Sequence, residues 1–247
     1  MRTFLKSIGR SKQAGVGIIV ASLAVLAVSA FIVVNSLQGD AVELPAEGSL
    51  EEILEERTIG DSVVIPGQPA FGQGGGQTDG PKPARLAIPN LYLDAPVVIL
   101  GVDAENIPQV PDAAGDIAWY DFSAIPGRQN NAVFSGHVDW QTRGGNPIPG
   151  VFYRLRELRI GDDIQITLED GRQLTYRVTG NIATDYDDPN VVKTMSQTVD
   201  DVITLITCGG SWIEDSSRGS FGGVYSHRIV VRAERVTPAA ADLSATN

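Results

Sequence analysis

Between Ala14 and Leu37 the chain carries only apolar, small or uncharged residues. At about 1.5 Å per residue, a helix over this run spans about 36 Å, enough to cross a bilayer, and it predicts a transmembrane anchor at 14–37. A cleaved signal peptide ending near Val28-Ser29-Ala30 is the alternative, although the apolar part of such a peptide runs only about 7–15 residues. Residues 38–84 lose the pattern. An acidic, helix-compatible piece from Ser49 to Arg57 reads as a solvated face. It gives way to Pro66-Gly67, Gly74-Gly75-Gly76 and Pro81-Lys82-Pro83, the composition of a flexible stalk.

From residue 85 to residue 236 the hydrophobic period changes to that of short strands, rich in Val, Ile, Thr and Tyr and separated by turn residues. Candidate strands are 85–88, 95–100, 131–137, 163–168, 173–178, 201–207 and 228–234. The strands at 163–168 and 173–178 each alternate apolar and polar positions and meet across Asp170-Gly171, which suits a tight hairpin turn with positive φ. No long helical period and no strand–helix–strand alternation appears. The expected class is therefore all-β, a barrel or sandwich that closes its own sheet edges. Residues 237–247 are expected to be a disordered tail.

Charge adds direction to this layout. The net charge is −11, yet Arg2, Lys6, Arg10 and Lys12 all lie ahead of the apolar run and the first acid, Asp40, lies after it. Basic residues stay on the cytoplasmic side, so residues 1–13 are predicted to be a cytoplasmic tail and residues 38–247 to lie outside a cell membrane crossed once. The acidic exterior shows no basic stripe, which excludes a nucleic-acid partner. Gly74 to Gly76 has no strand before it and no Lys-Ser/Thr after it, so it is linker and not a phosphate cradle.

Cys208 is the only cysteine, placed at the end of the apolar run from Val202 and immediately before Gly209-Gly210. With no partner in the chain it is either a buried small hydrophobe or a reactive thiol. The chain has two histidines, His137 and His227. His137 ends an apolar strand and enters a loop, where scaffolds place working groups. His227 precedes Arg228, and in a strand the two project to opposite faces. Ile229 and Val231 mark the core side, so Arg228 emerges on the other face with Val230 and Arg232. A thiol is mostly protonated at neutral pH, and an Arg nearby favours the thiolate and donates hydrogen bonds to an oxyanion.

These residues resemble the sortase family. Thr204-Leu205-Ile206-Thr207-Cys208 is similar to the sortase signature T-L-x-T-C, the run from His227 to Ala233 resembles the strand that carries the sortase arginine, and the order His, Cys, Arg agrees. The segments 85–89, 131–137 and 152–162 resemble the opening strand, the histidine strand and the piece before the hairpin. Within the family the chain looks most like class F, with class E as the alternative.

The resemblance covers 85–236 and implies an all-β catalytic domain, a closed eight-stranded barrel with short helices, preceded by one N-terminal transmembrane helix. It also implies a cysteine transpeptidase that cuts a C-terminal sorting signal of the L-P-x-T-G type in secreted surface proteins and passes the acyl group to an amine of a cell-wall precursor or pilin. Carried over by position, Cys208 is the nucleophile, His137 the general acid and then base, Arg228 the oxyanion and backbone clamp, and Thr207 a substrate contact. Arg228 is preferred to Arg218 and Arg232, with Trp212, Arg218 and Phe221 as possible groove residues. Asp139 is read as a solvated turn acid, with orientation of the imidazole as the alternative. Asp185, Asp187 and Asp188 are read as turn formers, and neither a metal nor a cofactor is expected.

Three other readings compete. L,D-transpeptidases place histidine beside cysteine in an S-H-G-C motif, and papain-type peptidases place Cys before His, which only His227 would satisfy here. The non-catalytic alternative is a membrane-tethered barrel that binds a peptide or wall polymer, with Cys208 inert.

Overall fold

The computed structural model describes residues 46–47, 50–55, 79–142, 146–215 and 222–236. The predicted cytoplasmic tail, the anchor at 14–37, most of the stalk and the tail at 237–247 lie outside them. Among the described residues, no helix is long and apolar enough to cross a membrane.

Eight strands close into a barrel: β1 (Pro83–Ile88), β2 (Leu93–Leu100), β3 (Ile117–Tyr120), β4 (Asn130–Ser135), β5 (Asp163–Leu168), β6 (Gln173–Asp185), β7 (Asp201–Glu214) and β8 (Gly223–Arg235). Around the barrel the order is β6-β8-β7-β4-β3-β2-β1-β5, and β5 pairs with β6 to complete the circle. The β2–β3 and β4–β7 pairs are parallel, the others antiparallel. Closure removes the free edges that would otherwise template aggregation.

Strand alternation sorts side chains into an inner and an outer set. Phe134, Ile203, Leu205, Ile229, Val231 and Tyr176 belong to one buried cluster that fills the barrel. Burying an aliphatic or Phe side chain contributes about 1.5–3 kcal/mol, so this interior supplies the main driving force. Val133, Ile206, Ala118 and Tyr120 have the opposite parity and form a second cluster on the outside, covered by Phe122 and Met195. The predicted hairpin across Asp170-Gly171 is present, with Gly171 at φ 84.

A 3₁₀ helix, Pro189–Met195, lies on the β6–β7 connection. Asn131 of β4 donates to the carbonyls of Thr194 and Ser196, and Thr204 of β7 donates to the Asn131 side-chain oxygen. This buried network fixes the connection against the outer face of β4 and β7, because leaving such groups unpaired costs about 1–3 kcal/mol each. Asp188, read as a turn former, caps that helix by accepting from the Asn190 N–H and the Thr184 hydroxyl.

The structure differs from the sequence expectations in several places, among them the strand expected at 131–137, which spans Asn130–Ser135 and leaves His137 just past its end. Ile117–Tyr120 is an unforeseen strand, buried along its whole length because Ile117 and Trp119 face the barrel interior while Ala118 and Tyr120 face the outer cluster. The strands expected at 173–178, 201–207 and 228–234 each run longer, to Asp185, to Glu214 and from Gly223. Within the stretch read as stalk, Ala46–Glu47 pairs with β6 and the helix α1 (Leu50–Glu55) buries Ile53 against Ile182 and Val230. The acidic piece is thus amphipathic, its apolar residues covering the outer face of β6 and β8.

Candidate active site

Three neighbouring strands carry the candidate residues to one end of the barrel. β7 lies between β4 and β8. In the antiparallel β7–β8 pair Cys208 is directly opposite Arg228, a placement that sets Cβ atoms about 4.5–5.5 Å apart. In the parallel β4–β7 pair the register ends at Ser135 opposite Ile206. The Gly136 N–H continues it by donating to the Ile206 carbonyl at 3.3 Å, so His137 falls level with Cys208. The imidazole and the guanidinium therefore flank the thiol from its two sides.

All three side chains have outward parity. Cys208 follows Thr204 and Ile206, His137 follows Val133 and Ser135, and Arg228 precedes Val230 and Arg232, while Phe134, Leu205 and Ile229 point into the barrel. The thiol is half-buried and unpaired by any disulfide. Burial pushes it above the ordinary thiol value, the Arg228 charge pulls it back, and the Asp139 carboxylate adds to the rise.

His137 Nε2 lies 2.7 Å from the carbonyl oxygen of Pro111. A carbonyl only accepts, so Nε2 carries the proton and the neutral ring keeps Nδ1 as its acceptor. Trp140 holds the ring from the side, edge-on at 4.9 Å between centroids. On the other flank, Arg228 Nη1 donates to the carbonyls of His227 and Tyr225 at 3.0 and 3.3 Å. The guanidinium also lies over the Tyr186 ring at 5.9 Å. Its Nε and Nη2 make no hydrogen bond among the described residues, so the fork retains donors for a ligand.

Thr207 is buried, with inward parity, and its hydroxyl donates to the Gly136 carbonyl at 2.8 Å. Where the sequence reading made it a substrate contact, the structure has it bind the residue ahead of His137 to the residue ahead of Cys208. His227 is occupied elsewhere: its Nδ1 shares a hydrogen bond with Ser226 at 2.7 Å and its Nε2 is 3.6 Å from Asp185. Arg232 is buried and donates to the Thr194 carbonyl, away from the thiol. Arg218 and Phe221 lie outside the described residues, and Trp212 is exposed with its ring edge-on to Tyr225 at 5.2 Å.

Two participants were not foreseen. Tyr225 of β8 donates its hydroxyl to Asp139, which is neither a solvated turn acid nor a partner of the imidazole. Burial and this carboxylate together push the Tyr225 phenol well above its usual range. Nothing in the sequence joins positions so far apart. Pro111 is the other, an acceptor supplied by a loop without strand or motif.

A closed barrel that presents one thiol between an imidazole and a guanidinium defines a class of protein equipped for acyl transfer through sulfur. The family model of the sortase domain matches residues 86–236, and the chain belongs to the sortase family, whose members are cysteine transpeptidases. Similar solved structures include sortase C from Clostridium perfringens SM101, at 18% identity over 63% of this chain and 70% of that one with a TM-score of 0.42. Sortase C1 from Streptococcus suis gives 20% identity, 66% and 76% coverage and 0.45. A lid mutant of sortase A from Corynebacterium diphtheriae gives 22%, 73% and 87%, and 0.45. A search of curated protein sequences finds no match.

Proposed function

We propose that this chain is a membrane-anchored transpeptidase that cleaves an L-P-x-T-G-like sorting signal in secreted surface proteins and transfers the acyl group to an amine of a cell-wall precursor or pilin. The observation that carries the site assignment is the register: Cys208 directly across from Arg228 and level with His137. Its placement outside the membrane rests on the apolar run at 14–37 with basic residues ahead of it. A reporter that matures only outside the cytoplasm, fused after Asn247, is expected to be active in the full chain.

At rest the thiol is protonated, because burial outweighs the pull of Arg228. Reaction begins when the proton passes from sulfur to His137 Nδ1, leaving thiolate and imidazolium. The thiolate attacks the scissile carbonyl carbon, and the Arg228 donors not used by the backbone bind the oxyanion. As the tetrahedral intermediate collapses, the C–N bond breaks, the imidazolium gives its proton to the leaving amine, and a thioester remains. An incoming amine reverses the sequence, with His137 as base.

Exposed apolar side chains lie near the candidate residues and suit a peptide's apolar residues: Trp212 and Tyr153 beside Tyr225, and Ile148 opposite Trp140. Thr207, buried beneath, sets the relative position of thiol and imidazole. Cleavage of a sorting-signal peptide by the purified chain tests the roles. His137→Ala is expected to lower turnover about 100-fold to 10,000-fold and Arg228→Ala about 100-fold to 1000-fold. Arg228→Lys, a point charge in place of a fork, also fails to restore it. Wild-type turnover in Arg228→Lys would remove the clamp from the mechanism.

A further inference from the structure

Asp139 sits two residues past His137, and the carboxylate accepts the Tyr225 hydroxyl from β8, three residues before Arg228. Since β7 runs between the His137 strand and β8, this bond crosses over the exit of the nucleophile strand. Tyr225 is there opposite Trp212, just beyond the register shift that follows Gly209. One carboxylate oxygen is held by Tyr225. Among the described residues the other has no hydrogen-bond partner and the group has no ion pair.

A negative charge in this place works against acylation. It opposes ionisation of Cys208, adding to the effect of burial. Once the sulfur is a neutral thioester, that opposition ends, and the carboxylate remains in a partly buried site with no ion pair among the described residues. Whatever it favours therefore belongs to the second half of the reaction, and a carboxylate favours a cation.

Resting on the transpeptidase reading above, we propose that Asp139, fixed by Tyr225, is the binding site for the primary ammonium group of the acceptor. The ammonium docks on the carboxylate oxygen that Tyr225 does not hold, beside the thioester. One of its protons passes to neutral His137. The amine nitrogen then forms the C–N bond as the C–S bond breaks, and a second proton goes to the departing sulfur. One amide, one thiol and one imidazolium result, which balances the three ammonium hydrogens. By the same geometry the newly freed amino terminus of the cleaved peptide, a neutral amine as it forms, leaves past Asp139 and takes up its further proton from water.

The test measures acceptor preference in the full chain, acylated with a sorting-signal peptide and offered two nucleophiles at neutral pH: triglycine, whose amine is cationic, and hydroxylamine, which is uncharged. Mass spectrometry of the amide and the hydroxamate gives their ratio. Asp139→Asn keeps an oxygen for the Tyr225 hydroxyl and removes only the charge, so the ratio is expected to fall about tenfold. The wild-type ratio, but not that of the variant, should also fall with added salt. Tyr225→Phe removes the bond and keeps the charge, so it should retain most of the preference. If Asp139→Asn depresses both products in equal proportion, Asp139 is a structural clasp and the ammonium site is overturned. An unchanged ratio overturns it as well. If the wild-type chain forms no acyl-enzyme, the transpeptidase reading has failed and this inference falls with it.

Discussion

Cys208 stands between two opposed charges, and its reactivity follows from their balance. Arg228 favours the thiolate, Asp139 disfavours it, and burial disfavours it more than either. The thiol's folded value is raised, so the thiolate gains only as pH climbs past the ordinary thiol range. Alkylation of the single cysteine by iodoacetamide, followed against pH, reads this directly. Arg228→Gln is expected to move the midpoint to higher pH and Asp139→Asn to lower pH, with His137 and Tyr225 the other ionisable groups that face the sulfur. Shifts of the same sign in both variants would contradict the arrangement.

At this scale the sequence was most informative about residues that strand parity could sort. Arg228 was assigned outward because Ile229 and Val231 looked like core, and both are buried inside the barrel. The Asp139–Tyr225 bond escaped because it joins side chains 86 positions apart, and neither carries a periodic signal. Thr207 escaped for the opposite reason: adjacency to Cys208 in sequence means the opposite face in a strand.

Among the elements, β7 matters most, because the bulge just after the nucleophile decides how the strand leaves the site. The register with β8 shifts between Gly209 and Trp212, and Gly210 sits at φ 76. A Cβ there would collide with Ser226 Oγ and His227 Nδ1, and Ser226 in turn accepts the Ser211 N–H at 2.9 Å. Gly210→Ala should destabilise the fold by about 1–3 kcal/mol and lower peptide cleavage even well below its melting temperature. Gly171→Ala is the control: its φ is also positive, at 84, but nothing stands within 4 Å of a Cβ there. It is expected to cost about 1–2 kcal/mol and to leave cleavage at wild-type level. Equal losses of activity in the two variants, measured beside calorimetric melting, would deny the bulge a role in the site.

This element also shows where pattern reading stops. The apolar run ends at Cys208, so periodicity places a strand end there, yet backbone pairing carries β7 through two glycines to Glu214. Ile117–Tyr120 is the converse case. Both of its faces are buried, so it shows no alternation to find.

On the scale of the whole molecule, closure of the barrel brings together residues that the chain keeps far apart. β4 and β7 are parallel neighbours joined by a long path through β5 and β6, and that pairing is what places His137 beside Cys208. Their order along the chain was legible and so was the all-β class, whereas the neighbour relations required the closed sheet. The docking of α1 on β6 and β8 belongs to the same scale: Leu50, Ile53 and Leu54 have helical spacing, but only the folded barrel offers Ile182 and Val230 to cover.

The central claim is that these convergent residues let sulfur take up the acyl group of a sorting signal. Intact-protein mass spectrometry of the chain, quenched in acid shortly after mixing with a sorting-signal peptide, tests it most directly. The account predicts an added mass equal to the acyl fragment, located on Cys208 by peptide mapping, absent in Cys208→Ala and discharged by an added amine. Peptide cleavage without any adduct, or with cleavage intact in Cys208→Ala, would contradict it.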